Sequence, residues 1–201
     1  VADLGEQDLH LFREGTHAQL YRKLGCHWTS DAARFAVWAP NAQAVSVIGD
    51  FNHWQSDAHP AQPRSDGSGI WEARVAGVVP GQAYKFAIRT RAGDVLEKSD
   101  PFARRAELPP RTGSVVWQDD AYAWGDAQWM AARAVHDGLA APMSIYEGHL
   151  GSRRRGEHGA LLDYRTAAHL LAEYATRLGF THVELMPITE HPFYGSWGYQ
   201  T

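Results

Sequence analysis

Phe35-Ala36-Val37-Trp38-Ala39-Pro40-Asn41-Ala42 runs on, two residues later, into Val45-Ser46-Val47-Ile48-Gly49-Asp50. In the first run Phe35, Val37 and Ala39 alternate with Ala36 and Trp38, and Pro40-Asn41 stops it. In the second, Val45 and Val47 alternate with Ser46 and Ile48, and Gly49-Asp50 stops it. Strand side chains point to opposite faces in turn, so a period of two predicts a strand, and Pro, Gly and Asn mark where it ends. The same grammar continues downstream. Ser65 to Gly69 is a turn before Trp71, Ala73 and Val75; Pro80-Gly81 is a turn before Tyr84, Phe86 and Ile88; Ala92-Gly93-Asp94 turns again. Short strands at this spacing, with few helical stretches, predict an antiparallel, immunoglobulin-like β-sandwich over residues 31–118. Residues 1–30 are mixed and polar, with Leu9, Leu11, Phe12, Leu20 and Tyr21 as scattered anchors, and read as a lead-in.

Downstream the pattern changes. Residues 119–142 read as a connector, with Asp119-Asp120, three aromatics (Tyr122, Trp124, Trp129) and an Ala-rich piece ending at Pro142. Ser144 to Leu150 has the look of a strand, and Gly151 to Gly159 that of a polar loop. Tyr164, Ala168, Leu171, Ala175 and Leu178 then recur at spacings of four and three, the stripe of an amphipathic helix. Asp163 suits its N-cap and Gly179 its left-handed C-terminal residue. Thr181 to Met186 is a second strand, closed by Pro187. Strand, helix and strand with short joints predict a βαβ unit with parallel strands. Such a sheet is normally covered on both faces, and one helix covers only one. Residues 143–201 are therefore expected to open a larger (β/α)8 (TIM) barrel, which makes the chain a multidomain fragment: sandwich first, then the start of an α/β barrel.

Composition removes several functions. Lys+Arg 19 against Asp+Glu 23 gives a net charge of -4, so there is no basic surplus for nucleic acid or an anionic membrane. No apolar run approaches the ~20 residues of a membrane span. One cysteine, Cys26, makes neither an internal disulfide nor a cysteine zinc site. Val1-Ala2-Asp3-Leu4-Gly5 has no basic start and no apolar core, so it is not a signal peptide, and the missing initiator Met suggests a processed chain or a cut piece. The cytoplasm is the default compartment. Trp 8, Tyr 8 and Phe 7 give 23 aromatics; some are expected in the core, and an excess of Trp also suits a surface that stacks on flat apolar faces.

Four stretches carry candidate chemistry. Trp54, in Phe51-Asn52-His53-Trp54 after the strand that ends at Gly49-Asp50, either stacks on a sugar ring or folds back as core. Glu147 and His149 share a strand face, and with Glu190-His191 they would make a metal site on paper. Their spacing matches no strong metal pattern, so no metal is expected. They read instead as hydrogen-bonded polar residues at strand ends, or, for His149, Glu190 and His191, as lining of a polar pocket at the barrel mouth. Arg153-Arg154-Arg155 reads as a solvated loop, and Gly151, Gly195 and Gly198 form no phosphate cradle, so no cofactor is expected. The loop from Glu190 to Thr201 crowds Phe193, Tyr194, Trp197 and Tyr199 between glycines, a stacking platform for a ring substrate.

The blocks Phe35 to Ala42 and Val45 to Trp54 resemble the family 48 carbohydrate-binding module of α-amylase-superfamily enzymes. Ser144 to Gly151, Gly179 to Ile188 and Glu190 to Gln200 look like the first two barrel strands of bacterial 1,4-α-glucan branching enzymes. Leu11 to His27 resembles the segment joining an extra N-terminal module to this one. The resemblance implies a sandwich, a catalytic barrel and a C-terminal β-domain, and a retaining transglycosylation that cuts α-1,4 glucan and moves the piece to a glucan 6-hydroxyl. Its three carboxylates come from later strands, so no catalytic residue is expected here. Glu147, Glu184 and Glu190 are not read as the nucleophile, and the isolated chain is expected to be inactive. The resemblance makes Tyr199 a stacking wall beside the scissile bond, with Trp197 and His191 as weaker candidates. It sets Trp54 with Lys85 as glucan contacts on the sandwich. The partners implied are α-1,4 glucan or glycogen and the rest of the chain's own barrel. Three departures stand out: Gly148 where Val is usual, Arg153 where an aromatic is common, and Val95-Leu96 where a second glucan-binding Trp would fall. The last leaves docking against the barrel as an alternative role for the sandwich. A related debranching or trehalose-forming hydrolase is the alternative for the whole.

Overall fold

The computed structural model describes residues 3–118, 123–135, 138, 140–191 and 193–201. Asp119, Asp120 and Tyr122 of the expected connector, and Pro192 of the aromatic loop, lie outside the described residues. The chain divides into two units, residues 1–121 and 122–201. Among the described residues no helix is long and apolar enough to cross a membrane.

The first unit runs α1 (Glu6–Glu14), β1 (Gly25–Trp28), β2 (Ala32–Trp38), β3 (Ala44–Gly49), β4 (Gln62–Pro63), β5 (Ile70–Ala76), β6 (Ala83–Arg89), β7 (Val95–Lys98) and β8 (Ser114–Val115). One sheet has the order β1-β2-β5-β4; the other has β3-β6-β7, with β8 also on β6. Every pair in both is antiparallel. The predicted sandwich is thus observed. Its core is the inward set of the period-two runs: Phe35, Val37, Val45, Val47, Val75, Tyr84 and Phe86, joined by Val116. Burying a side chain of this kind stabilises by about 1.5–3 kcal/mol. Within the core the Tyr84 hydroxyl donates to Asp100 Oδ2 at 2.6 Å, and the Asp100 N–H donates to Ser114 Oγ at 2.8 Å. Burial pushes both the Asp100 carboxyl and the Tyr84 phenol up.

Residues 1–30, expected as a lead-in, contribute to this unit. β1 pairs with β2 from Gly25↔Ala36 to Trp28↔Ala33. α1 and the following 3-10 turn cover the outer face of the first sheet, where Leu4, Leu9 and Leu24 are buried with Ala36 and Ile70, and Phe12 and Leu20 pack beside them. β2 is therefore buried from Ala33 to Val37, not on alternate residues. The cover is pinned by charge. Asp8 accepts the Gly5 N–H at 2.9 Å and pairs with Lys23 at 2.9 Å, which together hold its carboxyl well below the usual range. Glu72 joins Arg34 and Arg64, each at 3.0 Å, and Arg64 also binds Asp66 at 2.7 Å.

The second unit holds α2 (Ala127–Val135), β9 (Ile145–Gly148), α3 (Leu150–Arg153), α4 (Tyr164–Leu178) and β10 (His182–Leu185). β9 and β10 are parallel, with His182↔Ile145 and Leu185↔Gly148. The predicted βαβ unit is present, with its caps: Asp163 accepts the Thr166 N–H at 3.0 Å, and Gly179 is left-handed. The helix stripe differs from the expected one. Ala167, Leu171 and Ala175 are the buried positions, whereas Tyr164, Ala168 and Leu178 are exposed. Tyr146 sets the inner face, with its ring 5.3 Å from Tyr174 and 5.2 Å from Phe180. The expected polar loop after β9 contains α3 and a 3-10 turn at Glu157–Gly159. Arg153 is not a solvated loop residue, since its guanidinium lies 4.8 Å from the Tyr174 ring. Two strands make a βαβ unit and not a barrel.

Candidate functional site

On the sandwich the site grows from the end of β3. Gly49 approaches the Ala83 carbonyl so closely that a Cβ would stand 2.4 Å from it, so no other residue fits. A 3-10 turn at Asp50–Asn52 comes next, locked by the buried Asn52, which accepts the Gly49 N–H at 2.9 Å and donates to the Val47 carbonyl at 2.9 Å. The chain leaves through two left-handed residues, His53 and Trp54. Asp50 carries the key tie. Its Oδ1 accepts the Trp54 indole N–H at 3.1 Å and its Oδ2 accepts the Ala83 N–H at 2.8 Å. The indole is thus fixed by its nitrogen to the start of β6, the strand that carries Lys85 two residues on, and it remains 38% exposed. Trp54 is neither core nor free. Nothing in its local sequence names Asp50 as the anchor beyond a carboxylate four residues before an indole.

Lys85 pairs with Ile48 on the outer face of the second sheet. The same face carries a hollow of about 70 Å³ lined by Ala44, Ser46, Ser56, Ala87, Arg89 and Val95. A hollow of this size holds a few waters. Val95 is 49% exposed beside the hollow, at the position where the second Trp is lacking.

In the second unit β9 and β10 are parallel, so the loops after them leave from one edge. The structure brings them together: the Tyr194 hydroxyl donates to the Gly151 carbonyl at 3.1 Å, and the rings of His149 and Trp197 lie 5.0 Å apart. This link between residues 43 positions apart has no local sequence signal. Gly198 is buried with φ +87° under the Pro187 carbonyl, which a Cβ would meet at 2.7 Å. The Tyr199 N–H donates to the Ser196 carbonyl at 3.1 Å, closing a turn that leaves the Tyr199 side chain 67% exposed. His191 Nδ1 lies 2.9 Å from the Thr189 carbonyl of its own loop. Glu147 is exposed and registered with Glu184, while His149 is buried under Trp197, so the two do not form a common site. Among the described residues no three His, Cys, Asp or Glu side chains gather to hold a metal ion. A larger hollow of about 690 Å³, lined by Trp129, Arg133, Pro142, Met143 and His182 among others, lies at the opposite strand ends and holds none of the predicted residues.

Residues 23–103 match the family described as carbohydrate-binding module 48 (isoamylase N-terminal domain). This stretch is similar to family 48 carbohydrate-binding modules. The match begins before residue 31, at the stretch where β1 pairs with β2, and the sandwich extends past 103 through β8. Beyond the module, the whole chain has relatives. It is 60% identical over 198 residues to the 1,4-alpha-glucan branching enzyme GlgB of Aromatoleum aromaticum, and 57% identical to that of Albidiferax ferrireducens. The alignments cover 98% of this chain and 31% of each relative, and they correspond to an N-terminal part of those enzymes. Most of the chain also matches a Salmonella typhimurium structure described as a "Putative alpha Amylase", with TM-score 0.61 and 26% identity over 88% of this chain and 26% of that one. Type I pullulanase of Bacillus subtilis, complexed with maltose, matches in fold with TM-score 0.58 and 22% identity over 84% of this chain and 24% of that one.

Proposed function

We propose that this chain is part of a cytoplasmic glucan branching enzyme, which cuts α-1,4 glucan and transfers the segment to a 6-hydroxyl to form α-1,6 branches in glycogen. The observation that carries the reading is the 60% identity to a named branching enzyme over 98% of the chain. In this reading residues 143–201 open the catalytic barrel, and the loops after β9 and β10 lie at its mouth. Tyr199 is a wall of the glucan subsite, supported by its exposure on a turn that Gly198 holds. Trp197 and His191 are secondary contacts. The reacting carboxylates belong to later strands, so this chain binds and orients glucan and does not itself break a bond.

The test uses the full-length protein on amylose. New α-1,6 linkages and a shifted iodine spectrum are expected from it, and no change from the 201-residue chain. Reducing-end release without new α-1,6 linkages would assign a debranching or trehalose-forming hydrolase instead. Branching by the 201-residue chain alone would overturn the division of labour.

For the module a second reading has an observation of its own. With Val95 beside a shallow hollow in place of a second Trp, Trp54 and Lys85 are the only aromatic–cation contacts proposed for sugar on this face. A module so equipped binds glucan weakly and serves equally to dock on the barrel. Retention of the module on immobilised glycogen separates the two roles.

A further inference from the structure

His149 follows β9 directly and stands at the N-cap of α3, where the two loops of the second unit meet. It is 9% exposed, and its ring faces Trp197 at 5.0 Å and 34°. Its Nδ1 is buried with no hydrogen-bond partner among the described residues. A buried imidazole that leaves a nitrogen unsatisfied forgoes hydrogen-bond energy, so what it offers its surroundings is its ring face. Trp197 needs such a seat. Its backbone is left-handed at φ +56° and is followed by Gly198 at φ +87°. A bulky residue holds that conformation only where its surroundings over-determine it. The ring of Trp197 rests on His149, and the turn it starts ends at the exposed Tyr199.

We propose that His149 is a positioning residue: its ring face seats Trp197 and so fixes the turn that presents Tyr199. The inference rests on Tyr199 as a wall of the glucan subsite. His149 itself neither touches sugar nor moves a proton.

The experiment takes full-length protein as wild type, His149→Ala, His149→Phe, Trp197→Ala and the double alanine variant. Two readouts are taken: kcat and KM for α-1,6 linkage formation on amylose, and amide hydrogen exchange across residues 194–199. The first depends on branching activity and the second does not. A wild type without branching activity refutes the parent reading, and the exchange data then judge His149 alone. Loss of one ring contact is expected to lower kcat/KM roughly 2- to 12-fold in His149→Ala. Exchange of the Tyr199 amide accelerates in the same variant. His149→Phe keeps a flat face and is expected to restore both, since no hydrogen bond of Nδ1 is lost. The double variant is expected to be no worse than Trp197→Ala, because the two residues act as one unit. The proposal is overturned if His149→Phe is as impaired as His149→Ala, if the two alanine effects multiply, or if exchange at 194–199 is unchanged. Should His149→Ala not fold, His149→Phe decides: wild-type rate and protection uphold the proposal, and loss of either overturns it.

Discussion

A Cβ on Gly148 would stand 3.2 Å from Tyr146 Cε1 and 3.9 Å from Arg153 Cδ. The Arg153 guanidinium in turn lies 5.5 Å from the Tyr146 ring, and its Nε donates to the Tyr146 hydroxyl at 3.2 Å. Two of the three positions where this chain departs from the pattern it resembles are therefore neighbours in space. The missing side chain at 148 makes room for the tyrosine–arginine packing. Gly148→Val is expected to cost about 1–2 kcal/mol beside Arg153 and measurably less in an Arg153→Trp background. Urea unfolding of the four variants checks this, and equal costs in both backgrounds would separate the two departures. Tyr199→Ala in the full-length protein is expected to lower turnover strongly while leaving the unfolding midpoint in place, because its side chain is exposed. A steady-state assay beside a melting curve reads both. Trp54→Ala is expected to weaken retention on glycogen by about 1–3 kcal/mol if the indole stacks on sugar, by analogy with aromatic–base stacks. Unchanged retention with an intact fold would give the module its docking role.

The strands of the sandwich and the βαβ unit were legible because period-two and helical runs report one buried face. What the pattern could not report is a second covered face. β2 reads as an alternating strand, yet α1 closes its other side, and the residues that do this are too scattered between Leu4 and Leu24 to read as a stripe. For α4 the sequence supports two stripes that share Leu171 and Ala175. The flank that turns inward depends on Tyr146 and Phe180, which lie outside the helix. Candidate site residues were nominated where a ring follows a glycine in a loop, as at Tyr199, and the structure exposes that ring. Their anchors, Asp50 and His149, were not, because each acts through a partner on another element. If α1 is part of the fold and not a lead-in, Leu9→Ala should destabilise the first unit by about 2–4 kcal/mol, as buried leucines do. Chemical denaturation measures this, and a loss below about 0.5 kcal/mol, typical of a surface site, would return α1 to the role of a lead-in.

Stability of the molecule as pH falls turns on a histidine in the sandwich. His27 is buried, with Nε2 3.0 Å from the Leu24 carbonyl. Burial, aided by the nearby Arg34 and Arg104 charges, drives its pKa down from 6.5 to about 4. The folded state then binds fewer protons at this site than the unfolded chain between those two values. Its contribution is complete above pH 6.5 and is lost as pH falls toward 4, a loss of about 3 kcal/mol in all. Of the other shifted carboxylates, two leave the effect in place and one opposes it. Asp66, held at about 2 by Ser68 and Arg64, and Asp8, held lower still, stay ionised through the window. Asp100, raised by burial, takes up its proton more readily in the folded state and so pulls the other way. The unfolding midpoint of the wild type should therefore fall between pH 6.5 and 4. That of His27→Gln, which keeps a donor for the Leu24 carbonyl and has no charge to gain, should fall less or rise. Midpoints taken at half-unit steps of pH compare the two curves. Parallel curves would mean that another group governs acid lability, and that the buried imidazole accepts its proton in place without cost to the fold.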